Sequence, residues 1–322
     1  MNAALLMQNL FDWMPAIEEI CTWPEYARIQ SLFIKDESQH FGSDLGSFKA
    51  LGAPYSGCGL AYGAKIFRCR CVNYIHGHVS DGRAKRMTDL GAIVTRIDGE
   101  YEASVARAKE DTRVNGWYFV NSTPWSDFDG DTPQHVMNAY MVVLEEALAL
   151  IPSVDRITHV FVCSGIGSIA AAIFQGFYTR LCGYQKVLKN LLCFIVVKPF
   201  EADGLLQSAK HVEARQSQGS LRTLMAGLAC RVPSPAAWKI SAWLASDFLS
   251  VPDPAAIEGM KALAGGYEGD IPVVCGKSSA ASMGIMLASG ADLFLREKLG
   301  LDADSQTYMS LVGKSLAPPA IL

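Results

Sequence analysis

The chain contains no uninterrupted apolar run of the roughly 18 residues that a bilayer-spanning helix needs, and its opening stretch, Met1 to Glu19, has no basic segment of the kind that starts a secretory leader. No membrane partner is therefore expected, and a cytoplasmic location is. Excess positive charge is also missing. The formal net charge is -4 and the pI lies near 5.9, so nothing suggests a broad electrostatic footprint for nucleic acid. A small-molecule partner is the better expectation. Internal repeats, coiled-coil heptads and low-complexity tracts are absent. The 9 cysteines are an odd number scattered through apolar runs such as Leu191-Leu192-Cys193-Phe194, which is the distribution of small buried hydrophobes and not of a disulfide framework.

What the chain does have is length and apolar content. Its 322 residues, 50% of them hydrophobic, suffice for one large or two moderate domains with a sizeable core. One cluster has metal-type chemistry: Cys69, Cys71, His76 and His78, with the alternation Cys69-Arg70-Cys71 placing both sulfurs on one face of a strand. The cysteines lack the usual spacer of about two to four residues. Cys71 to Ile75 reads better as a core strand followed by a loop that carries the histidines, and no metal is expected.

Strand-like and helix-like segments alternate with short connections, the pattern of an α/β protein with a mostly parallel sheet. Leu32 to Lys35 is predicted as a short strand, the stretch after Ser47 as a helix, and Leu60 to Arg68 as a helix leading into the strand Cys71 to Ile75. A polar helix follows to Leu90, with Ser80 as N-cap and Gly91 as the terminating glycine. Ala92 to Ile97, a helix Tyr101 to Val114 and the aromatic run Trp117 to Asn121 continue the alternation as a βαβ unit. A loop rich in Ser, Asp, Gly and Pro, Asn121 to Pro133, precedes a long amphipathic helix, Gln134 to Leu150. The expected division is a large domain of residues 1–52 and 130–322 and a small domain of residues 53–129. Thr158 to Cys163 and Leu191 to Val197 are near-continuous apolar runs, as expected of strands covered on both faces.

Two segments carry chemistry. In the first, Val162-Cys163-Ser164-Gly165-Ile166-Gly167-Ser168 runs straight into the apolar helix that starts with Ile169. A buried strand that turns through small residues into a helix leaves backbone N–H groups pointing out of the helix start, which suits a phosphate. Glycines that serve close packing alone would look the same. No Gly-Lys-Ser/Thr follows as in a Walker A loop, and the three-glycine dinucleotide spacing is incomplete. The second segment is Lys35-Asp36-Glu37-Ser38 followed by Gly46-Ser47-Phe48-Lys49-Ala50-Leu51-Gly52. A lysine at a helix start among small and apolar neighbours is disfavoured as a cation by desolvation and by the positive end of the helix dipole, and so is suited to imine formation. A solvated surface lysine is the alternative.

The second segment closely resembles the cofactor-lysine segment of the diaminopropionate ammonia-lyase family, within the fold-type II pyridoxal-phosphate superfamily that includes threonine dehydratase and the tryptophan synthase beta chain. Cys69 to Ser80, Asn115-Gly116-Trp117, Thr158 to Ala172, Ala202-Asp203 with Leu205 to Ala209, and Met225 to Cys230 with Pro233-Ser234-Pro235 resemble further family segments in family order. The likeness runs from about Leu32 to about Gly313. It implies two domains, each with a mostly parallel sheet flanked by helices, and a homodimer. It implies pyridoxal 5'-phosphate as cofactor, bound as an imine by Lys49 and held at its phosphate by Gly165, Ile166, Gly167 and Ser168. The implied reaction is elimination of ammonia from 2,3-diaminopropionate to give pyruvate and ammonia, with a small amino acid as substrate and no nucleic acid or membrane as partner.

The chain departs from the family pattern in four places. Only Ala53-Pro54-Tyr55-Ser56-Gly57-Cys58-Gly59 lies where the family has a longer segment ending in Asp-Gly-Asn-His-Gly, whose asparagine faces the cofactor ring. The family's Ser-Gly-Glu-Ser-Gly-Ala turn stands as Cys275-Gly276-Lys277-Ser278-Ser279-Ala280, the Glu expected before Pro199 is Lys198, and the terminal Ser-Thr-Glu-Gly stands as Ser310-Leu311-Val312-Gly313. Single G-to-A changes convert Glu to Lys and Gly to Ser codons, so an alternative is a decayed, non-catalytic relative that keeps the fold and the cofactor. A nucleotide-binding oxidoreductase is disfavoured, because no acid for the ribose follows a three-glycine fingerprint.

Overall fold

A computed structural model of the chain describes residues 28–37, 57–77, 79, 81–99, 101–120, 131–181, 192–266 and 272–311. The predicted helix after Ser47, Lys49 within it, and the N-cap Ser80 lie outside the described residues. In chain order the strands are β1 (Ser31–Asp36), β2 (Val72–His76), β3 (Ile93–Ile97), β4 (His159–Cys163), β5 (Cys193–Pro199), β6 (Asp247–Val251) and β7 (Gln306–Leu311). The helices are α1 (Gly57–Phe67), α2 (Asp81–Asp89), α3 (Tyr101–Asn115), α4 (Asp131–Leu150) and α5 (Ser168–Leu181). They continue with α6 (Gly204–His211), α7 (Pro235–Leu244), α8 (Asp253–Gly265), α9 (Lys277–Ala291) and α10 (Leu293–Leu299). The chain forms two compact units, Met1–Gln39 with Tyr140–Leu322, and His40–Ala139.

The larger unit is built on a five-stranded sheet in the order β1-β7-β4-β5-β6, with every neighbouring pair parallel. Val160, Phe161 and Val162 of β4 and Ile195, Val196 and Val197 of β5 are fully buried. Their apolar runs do not alternate because both faces of the strand are covered. Strand order reverses at β4, with β5 and β6 stepping to one side and β7 and β1 to the other. In open parallel sheets such a reversal opens a crevice at the carboxyl ends of the strands, where ligands bind.

Helix ends are fixed by local chemistry. Ser234 caps α7 by accepting from the Ala237 amide, and Pro235 follows at the first helical position. Asp292 caps α10 by accepting from the amides of Phe294 (2.8 Å) and Leu295 (3.2 Å). At the end of β1 the buried Glu37 pairs with Lys35 at 2.6 Å, and Lys35 also reaches Glu146 of α4 at 2.9 Å.

Behind the sheet, α9 is buried continuously from Ser279 to Ser289 and lies against α8 almost backbone to backbone. A methyl group on Gly259 would collide with the carbonyl of Ala280, and one on Gly284 would collide with the carbonyl of Ala255. Since a backbone carbonyl cannot rotate away as a side chain can, these two glycines set the helix spacing.

In the smaller unit, β2 and β3 form a parallel pair joined through α2, a βαβ unit packed on Ala61, Cys71, Ile75, Met87, Leu90 and Ala92. Gly91 leaves α2 with φ 93°, as its predicted role as terminating glycine requires. The predicted strand at Trp117 to Asn121 is not one: residues 117–120 are irregular, and 121 lies outside the described residues. Tyr118 is 98% exposed, and Trp117 lies under the Arg70 guanidinium at 5.5 Å. Aromatic β-propensity expresses a fit to a half-buried pleated surface, and these side chains meet no such surface.

Replacing Gly284 by Val is expected to lower unfolding stability by about 1–3 kcal/mol through overpacking. A chemical denaturation curve checks this, and an unchanged midpoint would contradict the close approach.

Candidate active site at the carboxyl edge of the sheet

The site begins where β4 ends. Ser164 donates its amide to the Val197 carbonyl at 3.1 Å, which extends the sheet by one residue before the chain turns through Gly165, Ile166 and Gly167 into α5. Both glycines are needed there. Gly167 has φ 110°, and a Cβ on it would stand 2.9 Å from the Ala237 methyl of α7. A Cβ on Gly165 would come within 3.1 Å of the Gly227 carbonyl and 3.2 Å of the Cys230 sulfur. The turn is further pinned by the Ser234 amide, which donates to the Ile166 carbonyl at 2.8 Å.

The first amide of α5 bonded back along the chain is that of Ala171, to the Gly167 carbonyl at 2.9 Å. Helix geometry leaves the amides of Ser168, Ile169 and Ala170 with no acceptor inside the helix. The first turn of α5 carries no acidic residue that would neutralise the positive end of the helix dipole. Beside it, the Ser164 hydroxyl is buried with no hydrogen-bond partner among the described residues. A buried hydroxyl in this state is costly unless something completes it. Surplus donors, small residues and an incomplete hydroxyl fit an anion of phosphate size.

Three other segments converge on the turn. From β5, the side chain of Lys198, 1% exposed, donates through Nζ to the carbonyls of Gly165 (2.8 Å) and Leu228 (3.0 Å). The loop at residues 225–230 is tight, with the Leu228 amide donating to the Met225 carbonyl at 2.7 Å and the Cys230 amide to the Leu228 carbonyl at 2.8 Å. From the start of α9, the Ser278 hydroxyl accepts from the Gly227 amide at 3.0 Å. Burial pushes the Lys198 ammonium down to about 8, opposed by the nearby Cys230 and Asp203. Asp203 is itself held by Ser217 (2.8 Å) and Gln207 (2.6 Å). Cys163, the last residue of β4, contacts the Ser282 hydroxyl at 3.0 Å, and burial pushes its thiol up to about 11, so it is a neutral packing group.

Of the residues singled out from sequence, Gly165, Ile166, Gly167 and Ser168 lie together in this turn, while Lys49 lies outside the described residues. Among the described residues, the metal-type side chains do not gather. The exposed Cys69 thiol donates to the Phe67 carbonyl (3.5 Å), the buried Cys71 thiol donates to Asn73 Oδ1 (3.7 Å), and His78 lies outside the described residues. Among the described residues no three metal-ligating side chains form a group. Lys198, Ser278 and the 225–230 loop were not identified as partners of the turn. The sequence had marked Lys198 only as a departure from the family pattern, a lysine in place of the Glu expected before Pro199.

Residues 55–303 match a family model described as pyridoxal-phosphate dependent enzyme. Diaminopropionate ammonia-lyase of Escherichia coli is 26% identical over 320 residues, covering 86% of this chain and 78% of its own length. The enzyme of the same name from Salmonella typhimurium is 27% identical over 330 residues, covering 87% and 80%. Among solved structures, holo diaminopropionate ammonia lyase from Escherichia coli superposes with a TM-score of 0.82 at 23% identity, over 91% of this chain and 83% of that one. Maize serine racemase superposes with a TM-score of 0.74 at 16% identity, over 94% and 89%. At these identities the structural likeness is one of fold. The match over residues 55–303 decides the family: this chain is a pyridoxal-phosphate dependent enzyme with the α/β fold-type II architecture, and its cofactor is pyridoxal 5'-phosphate.

Proposed function

We propose that the chain is a carbon–nitrogen lyase that eliminates ammonia from 2,3-diaminopropionate, with hydrolysis of the product giving pyruvate and a second ammonia. The observation that carries this reading is the similarity to curated diaminopropionate ammonia-lyases over more than three quarters of both chains. A solved structure of similar fold is described as that lyase in complex with an aminoacrylate-PLP azomethine reaction intermediate. The non-catalytic alternative is not favoured, because the relatives that match over this length carry the name of an active lyase.

When bound, pyridoxal phosphate supplies an electron sink that makes the proton on the substrate α-carbon acidic. The roles proposed for this chain's residues follow from their chemistry. Lys49 holds the cofactor covalently and moves the proton at the α-carbon. The amides of Gly165, Ile166, Gly167 and Ser168, with the Ser168 hydroxyl, hold the cofactor phosphate at the start of α5. There the donors are already in place and cost no reorganisation on binding. Gly165 also keeps side-chain atoms out of the space between the turn and the 225–230 loop. A homodimer and a cytoplasmic location are part of the proposal, on the family resemblance. Among the described residues no single helix is long and apolar enough to cross a membrane.

Two measurements test the reading. Purified protein supplied with cofactor and 2,3-diaminopropionate is expected to release pyruvate at an ordinary enzymatic rate, on the order of 10 per second. Cofactor binding without pyruvate release would leave the non-catalytic relative. Separately, Gly167→Val is expected to weaken cofactor binding by about tenfold or more with the far-ultraviolet circular dichroism retained, because a branched side chain cannot adopt φ 110° beside Ala237. Unchanged cofactor affinity in that variant would contradict the assignment of the phosphate turn.

A further inference from the structure

We infer that Lys198 is a positioning residue for the cofactor phosphate: its ammonium locks the Gly165 turn to the 225–230 loop and so fixes the turn whose amides meet the phosphomonoester. The inference rests on the reading of residues 165–168 as the phosphate turn. Three observations carry it. Lysine is among the residues least often found fully buried, because an ammonium removed from water needs compensation, yet Lys198 is 1% exposed. Its Nζ donates to the carbonyls of Gly165 (2.8 Å) and Leu228 (3.0 Å), which come from the two segments that Gly165 allows to approach. An ammonium has three donors, and these carbonyls use two. Finally, no Asp or Glu among the described residues forms an ion pair with it. Two neutral carbonyls orient the cation without neutralising it. Asp203 acts on it only through space, and a phosphate dianion in the adjoining turn adds the counter-charge that no ion pair supplies.

The carbonyl of Gly165 also leads directly into the Ile166 amide, because the two belong to one peptide group. Holding that carbonyl toward Lys198 therefore points the Ile166 N–H in the opposite direction within the peptide plane. Lys198 thus acts on the phosphate through the orientation of the turn as well as through charge. Burial holds the ammonium down to about 8, against Cys230 from the 225–230 loop and Asp203 from the segment after β5. Its charge is complete below that pH and is lost as pH rises through it.

The test compares the affinity of the apoprotein for pyridoxal 5'-phosphate with that for pyridoxal, which lacks the phosphate. The ratio of the two cancels effects on imine formation. In wild-type protein the preference for the phosphorylated form is expected to fall by about tenfold or more between pH 7 and pH 9.5, a range in which the phosphate is already dianionic. The same fall is expected in Cys230→Ser, which replaces the neighbouring thiol by a hydroxyl. Lys198→Met, close in volume but without charge or donors, is expected to show a low preference that does not change with pH. If Lys198→Met does not fold, the wild-type and Cys230→Ser profiles decide. A flat wild-type profile, a fall abolished in Cys230→Ser, or a full preference in Lys198→Met would each overturn the role of Lys198. Gly167→Val separates the two readings. Loss of preference there with full preference in Lys198→Met leaves the turn in place and removes Lys198 from it, whereas preference retained in both shows that the phosphate binds elsewhere.

Discussion

Close approach of backbone to backbone at the carboxyl edge of the five-stranded sheet is the constraint on which the site depends. A parallel sheet delivers the ends of all its strands to one edge, and the connecting segments must then pass each other without side chains between them. At Gly165 the turn after β4 lies against the carbonyl of Gly227. Two backbone segments that meet this way present polar groups to one another in a dry setting, and those groups need partners. Lys198 provides donors to one carbonyl from each segment, and Ser278 accepts from the Gly227 amide. The start of α5, where the phosphate site is proposed, is thus one face of a junction whose other face is tied together by Lys198 and Ser278.

The same constraint recurs between two helices, where Gly259 and Gly284 bring α8 and α9 together. There the approach has a different consequence. No charged group is needed, because both segments are helices whose backbone hydrogen bonds are internal. The contrast explains why a lysine is buried at one junction while the buried faces of the helices at the other carry no charged residue.

Much of this was legible in the sequence. The apolar runs of β4 and β5 announced strands covered on both faces, and the Ser164-Gly165-Ile166-Gly167-Ser168 segment was recognisable as a tight strand-to-helix turn because its chemistry is local and contiguous. The run Trp117 to Asn121 was misread because residue preference alone does not say whether a partner surface exists. The junction at Lys198 was invisible for a different reason. It joins residues 30 or more positions apart, through backbone carbonyls that leave no mark on composition. From sequence alone, the lysine in place of an expected glutamate looked like damage. In the fold its ammonium is buried and hydrogen-bonded, so this substitution gives no support to decay.

The central claim is that one lysine, Lys49, carries the cofactor while a second buried lysine, Lys198, orients its phosphate. Lys198, whose buried ammonium is pushed down to about 8, is the rival amine for attachment. Borohydride reduction of the cofactor-loaded protein, followed by mass spectrometry of its peptides, distinguishes them directly. The account predicts a reduced pyridoxyl group on the peptide containing Lys49 and an unmodified Lys198. Modification at Lys198, or at neither residue, would contradict it.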